Sequence, residues 1–176
     1  MIIGAAGNRW CGVSAVLSSC GRYRYELRRR FGLGSGVCCF IMLNPSTADA
    51  ETDDATIRRC IGFAKAWGYD EMIVVNLFAF RATKPSDLFK AFDPVGPENM
   101  ANLSSAALSA QAVVCAWGVH GSFKNQGFNV LCRLNDLGVK PLALARTKNG
   151  HPAHPLYLPK KLTPQPIATR PDTGGG

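Results

Sequence analysis

Seven residues, Val37 to Leu43, constrain this chain more than any other stretch: VCCFIML is apolar throughout and stops abruptly at Asn44-Pro45. A run without polar alternation is what a parallel strand covered on both faces requires. In an open α/β sheet, ligands bind in the crevice beyond the carboxyl ends of the strands. Asn44 therefore stands where chemistry is done. The same design recurs at Asn76, at Trp117-Gly118 and at Thr147-Lys148, each beyond an apolar run. Four such exits predict one shared site.

The elements between them follow from periodicity. Val13–Leu17, the turn Ser18–Gly21 and Tyr23–Leu27 read as a β-hairpin within residues 12–31. A glycine-rich connection leads to the first core strand. Asp53 and Asp54 sit where carboxylates suit the positive end of a helix dipole, and Ile57, Ile61, Ala64 and Trp67 then recur at helical spacing up to Gly68. Met72–Leu77 is the second strand, and Phe78–Gly96 a long loop of the kind that carries function. Pro97 and Glu98 open a helix with Met100, Leu103, Ala107 and Leu108 on one face. Ala112–Ala116, a helix over Phe123–Leu137 and a strand over Pro141–Ala145 complete the pattern. Alternating strands and helices imply a parallel sheet with right-handed crossovers. The expected fold is an α/β three-layer α/β/α sandwich, its central sheet four-stranded and mainly parallel, with the N-terminal hairpin at an edge. A single domain over residues 1–159 and a disordered tail over 160–176, rich in Pro, Lys, Thr and Gly, are expected.

Lysine and arginine number 20 against 12 acidic residues, a net charge of +8. That excess favours a polyanionic partner such as nucleic acid, or a phosphorylated small molecule. The densest basic stretch is Arg22, Arg24 and Arg28–Arg30, which the solvated face of a hairpin explains equally well. Seven cysteines without a C-x-x-C spacing suggest neither a disulfide framework nor a zinc site. With Arg9 interrupting the mildly apolar start and no run of membrane-spanning length, the expectation is a cytoplasmic monomer without cofactor, metal or membrane contact.

An Asn at a strand tip can position a water or read a base edge, because its amide both donates and accepts. Asn44, Asn76, Asp49, Asp53, Asp54, Arg81, His120, His151 and His154 are the candidates by residue type. Arg81, five residues beyond Asn76, is placed to reach an anion or to form a surface ion pair. In RTKNGHPAHPLYLP two His-Pro pairs lie close together, and each proline restricts the residue before it. An imidazole held this way can donate to a developing anion. No G-x-G-x-x-G, P-loop or G-x-S-x-G occurs, so hydride transfer, Walker-type hydrolysis and serine-hydrolase chemistry lose ground.

LNPSTAD, DDATIRRC, NLFAFRAT, DPVGPEN, AWG and HPLYL, in this order, closely resemble a bacterial and phage family described as a domain of unknown function. More distantly, the motif order resembles the uracil-DNA glycosylase superfamily. In that resemblance Leu43-Asn44-Pro45-Ser46 matches the water-positioning loop and Asn76 the base-reading residue. Trp117-Gly118 matches a third-strand turn, and His154-Pro155 or His151-Pro152 the final histidine loop. Leu43 departs from the usual glycine, and no H-P-S triplet occurs.

The resemblance implies a hydrolase of DNA repair or modification that cleaves an N-glycosidic bond of a flipped base. Asn44 would hold the water, Asp49 or Asp53 would serve as base, and His154 would stabilise the departing base. Pro45, Ser46, Asn76, Trp117, Gly118 and His151 would contact substrate, with Arg81, Arg146 and Lys148 on phosphates. Two alternatives stand beside it: a non-catalytic reader of a modified base or nucleotide, and an enzyme acting on free nucleosides or nucleotides.

Overall fold

The computed structural model describes residues 12–46 and 52–167. Seven strands form one mixed sheet: β1 (Val13–Leu17), β2 (Arg24–Arg30), β3 (Val37–Met42), β4 (Glu71–Asn76), β5 (Ala112–Cys115), β6 (Pro141–Ala143) and β7 (Gln165–Pro166). Their spatial order is β1-β2-β4-β3-β5-β6-β7. The inner four, β4-β3-β5-β6, are parallel, while β2 joins β4, and β7 joins β6, antiparallel. The hairpin thus extends one edge of the sheet through backbone hydrogen bonds.

The apolar runs are explained by two cores. Cys39 and Ile41 of β3, Ile73 and Val75 of β4, and Val113 and Cys115 of β5 face one side; their neighbours Cys38, Phe40, Met42, Met72, Val74, Ala112 and Val114 face the other. The first face is covered by Leu88 of α2 (Pro85–Lys90), by Leu103, Ala106 and Ala107 of α3 (Asn99–Ser109), and by Val130 and Leu134 of α4 (Gln126–Asp136). The second is covered by Ile57, Cys60, Phe63 and Ala64 of α1 (Ala55–Ala66). A strand buried on both faces has no polar position to offer, which is why β3 reads as unbroken hydrophobicity. Its cysteines serve as small hydrophobes; burial pushes the Cys39 thiol up to about 12.

The structure corrects four expectations. The long loop after β4 contains α2, opened by Pro85 at its first turn and carrying the fully buried Leu88. The helix expected from Phe123 starts at Gln126, because Lys124 and Asn125, with φ of 49° and 60°, break the chain at the end of the 3₁₀-type segment Val119–Asn125 that precedes it. Strand β6 stops at Ala143, two residues early. The tail does not begin at residue 160: Trp67 Nε1 donates to the Leu162 carbonyl at 3.1 Å, and Gln165–Pro166 pairs with β6. Leu162 and Ile167 pack on opposite cores. An uncovered β6 edge would present unpaired backbone groups, and β7 satisfies them.

Among the described residues no helix is long and apolar enough to cross a membrane.

Candidate functional site

The carboxyl ends of the parallel strands share one side of the sheet, and a cleft of about 380 Å³ opens there. Asn44 follows β3, Asn76 ends β4, Trp117-Gly118 follows β5, and His154 comes from the loop beyond β6; all line it. Ser46 does too, joined by Arg24, Asp54, Thr56, Thr83 and His120.

Strand alternation puts Asn76 on the face of Met72 and Val74, directed at the cleft. The residue is 3% exposed, and no hydrogen bond of the described residues uses its side-chain amide. Its carbonyl, by contrast, accepts from Asn99 Nδ2 at 2.9 Å. An amide buried without protein partners is costly unless solvent or a ligand reaches it, and for Asn76 the cleft provides that access. Asn44 is constrained differently. Its Nδ2 donates to the carbonyls of Pro45 at 3.1 Å and Ala82 at 2.8 Å, leaving Oδ1 as an acceptor.

His154 precedes proline and accordingly has extended backbone, φ −69° and ψ 135°. Its Nδ1 accepts from the Leu156 amide at 3.3 Å, so the neutral ring carries its proton on Nε2. Burial pulls its pKa below the ordinary 6.5, while the Asp54 carboxylate opposes that shift. The unfolded imidazole gains its proton near 6.5 and the folded one only at lower pH, so this residue's contribution holds above 6.5 and is lost as pH falls through the folded value. In an NMR titration His154 should protonate below 6.5, and Asp54→Asn should move its midpoint lower still. A midpoint above 6.5 would show the ring to be solvated or paired.

The cleft wall depends on close approach. Gly118 has φ +74° and its amide donates to the Pro152 carbonyl at 2.8 Å, tying the β5 exit to the histidine loop. A Cβ on Gly121 would lie 2.1 Å from Trp117 Cδ1, so only glycine lets the indole seat there.

Other sequence-predicted residues sit elsewhere. Asp53 is not in the cleft lining; its Oδ1 accepts from Arg29 Nε at 2.7 Å. Its neighbour Asp54 is the helix cap, accepting from the Ile57 amide at 2.8 Å, and lines the cleft. Pro45, buried, and His151, whose amide donates to Thr147 Oγ1 at 3.2 Å, do not line the cleft. Arg81 donates to the Gly21 carbonyl at 3.1 Å, and Arg146 and Lys148 are exposed outside the cleft. Asp49 lies outside the described residues.

Arg24 is the residue that candidate selection by strand exits misses. Val16 pairs with Glu26 and Leu17 with Arg24, a register shift that leaves Tyr25 as an extra residue in β2. Such a bulge re-aims the side chains beside it. It brings Arg24 to the side of Leu27, where it lines the cleft with Met42, Ile57 and Val74. Tyr25 and Arg24 are both buried, where uninterrupted alternation would expose one of them. That double burial is visible only in three dimensions.

Fold and site together define an α/β protein with a small polar cleft at the carboxyl edge of a parallel sheet, furnished with two amides, a carboxylate, a neutral imidazole and a buried guanidinium. Residues 24–156 match the family described as a protein of unknown function, DUF1643, and the chain belongs to that family. No curated protein and no solved structure matches it.

Proposed function

We propose that the cleft receives the base of a nucleotide, in DNA or as a single molecule, and that the protein hydrolyses its N-glycosidic bond. The fold on this reading is a three-layer α/β/α sandwich of the uracil-DNA glycosylase kind, supported by the order of its polar strand exits. One observation carries the functional reading: Asp54, Asn76 and a neutral His154 converge on one cleft.

Each residue has a role its surroundings suit. Asn44 Oδ1 accepts from the attacking water, since both its amide hydrogens are held by carbonyls. Asp54 takes the proton; its Oδ1 is occupied by the Ile57 amide, leaving Oδ2 for the water. Asn76 pairs with the base edge, offering donor and acceptor. His154 Nε2–H donates to the charge that develops on the departing base, and remains neutral in the ground state. The water's oxygen bonds to the sugar carbon, its proton passes to Asp54, the C–N bond electrons leave with the base, and the base regains a proton from solvent.

The test is a hydrolysis screen over duplexes bearing damaged and modified bases, and over free nucleosides and nucleotides, read as released base. Asp54→Asn is the appropriate blank, because Asn44 substitutions would also free two loop carbonyls. Release by the wild type that Asp54→Asn abolishes is expected. Binding without release by either protein would overturn hydrolysis and leave a reader of bases.

A further inference from the structure

We propose that Arg24 is a phosphate-binding residue inside the cleft, and that the ligand is a single nucleotide whose terminal phosphate is bound there. This rests on the reading that the cleft accepts a nucleotide, and it selects the free nucleotide over a nucleotide within a DNA strand.

Arg24 is 6% exposed, yet its Nε is buried without a hydrogen-bond partner, and no ion pair or hydrogen bond among the described residues reaches its guanidinium. Burying an unpaired charge is strongly unfavourable. The other buried arginine of β2, Arg29, shows the usual solution: Asp53 sits on its Nε. Among the described residues no carboxylate forms an equivalent ion pair with Arg24. Its surroundings add to the imbalance, because burial and the Arg81 and Arg29 charges all weigh against the protonated form, with Asp54 opposing them. An arginine nevertheless stays charged. The bulge at Tyr25 aims this cation into the cleft that Asn76 also lines. A buried guanidinium that meets no acceptor among the described residues is the complement of an oxyanion. A planar guanidinium matches phosphate oxygens two at a time.

The depth at which the cation is buried identifies the kind of phosphate. Cations that track a nucleic-acid backbone lie on the surface, where Arg146 and Lys148 are. Arg24 lies instead among Met42, Ile57 and Val74 within about 380 Å³, near the lower end of the ~300–1,000 Å³ of small-molecule clefts. A phosphodiester there would need two exits for the chain. A monoester needs none.

The experiment measures calorimetric binding of deoxynucleoside 5′-monophosphates, the matching nucleosides, inorganic phosphate and a short single-stranded oligonucleotide to the wild type, Arg24→Met and Arg24→Lys. At least one monophosphate should bind tenfold or more tightly than its nucleoside, with inorganic phosphate competing and the oligonucleotide binding more weakly. Arg24→Met should abolish that preference and raise the melting temperature, since it removes an unpaired buried charge; a purely structural arginine would lower it. Arg24→Lys should retain part of the preference. Equal affinity for nucleoside and monophosphate, tighter binding of the oligonucleotide, binding of inorganic phosphate alone, or an unchanged preference in Arg24→Met would each overturn the proposal. Should Arg24→Met fail to fold, phosphate competition on the wild type and Arg24→Lys decides by the same criteria. Phosphate-dependent binding without base release would retain this inference and remove hydrolysis; base release from duplex DNA unaffected by Arg24→Met would do the reverse.

Discussion

Gly121→Ala should unfold at a lower denaturant midpoint than the parent protein, with the slope unchanged and a loss of about 1–3 kcal/mol or more. The added methyl would stand 2.1 Å from Trp117 Cδ1 and 2.4 Å from its Nε1, distances no contact sustains. The indole cannot swing aside, because it is 3% exposed within the core and Gly127 of α4 closes on its Nε1 as well. Either the ring or the 3₁₀ segment must move, and Trp117 is a wall of the cleft, so ligand affinity should fall together with stability. Gly62→Ala supplies the control of opposite sign. Gly62 lies in α1 with nothing within 4 Å of an added Cβ, so alanine there should stabilise by about 0.4–1 kcal/mol. Equal effects at the two sites would show that Trp117 is not held as described.

The second large effect separates two adjacent aspartates. Asp54→Asn should keep the helix, because asparagine caps about as well as aspartate, while base release falls about 10²–10⁴-fold. Asp54→Ala should lose about 1 kcal/mol of stability in addition, the cap to Ile57 being removed. Asp53→Ala should do the opposite. It takes the carboxylate from Arg29, whose side chain is buried, and should cost about 1.5–3 kcal/mol with little change in the rate of release. Unfolding curves and single-turnover release on all three variants distinguish the roles. A fall in release equal for Asp53→Ala and Asp54→Asn would remove Asp54 from the chemistry.

How much of this is legible in the sequence follows from what each feature depends on. The runs Val37–Met42, Glu71–Asn76 and Ala112–Cys115 are readable because burial on both faces leaves a strand no polar position. Parallel connection then puts their exits on one side, so Asn44, Asn76, Trp117 and His154 are gathered by connectivity alone. The helix α1 is equally plain, since its spacing is periodic and its cap is local. Shorter pieces are not. Helix α2 spans only six residues and β7 two, too few for a period to register, and each forms because it covers a core or an edge assembled from distant segments.

The site shows the same division at the scale of single side chains. The sequence by itself determined which loops border the cleft. Only the tertiary structure decided which of two neighbours enters it: Asp54 rather than Asp53, because helix capping turns one inward and Arg29 holds the other. It likewise decided that Arg24 is buried in the cleft, whereas Arg146 and Lys148, from a loop bordering it, stay in solvent. A side chain's direction hangs on register, and one residue of bulge reverses it. That register is settled by pairing with β1 and β4, elements whose contacts no local pattern in β2 encodes.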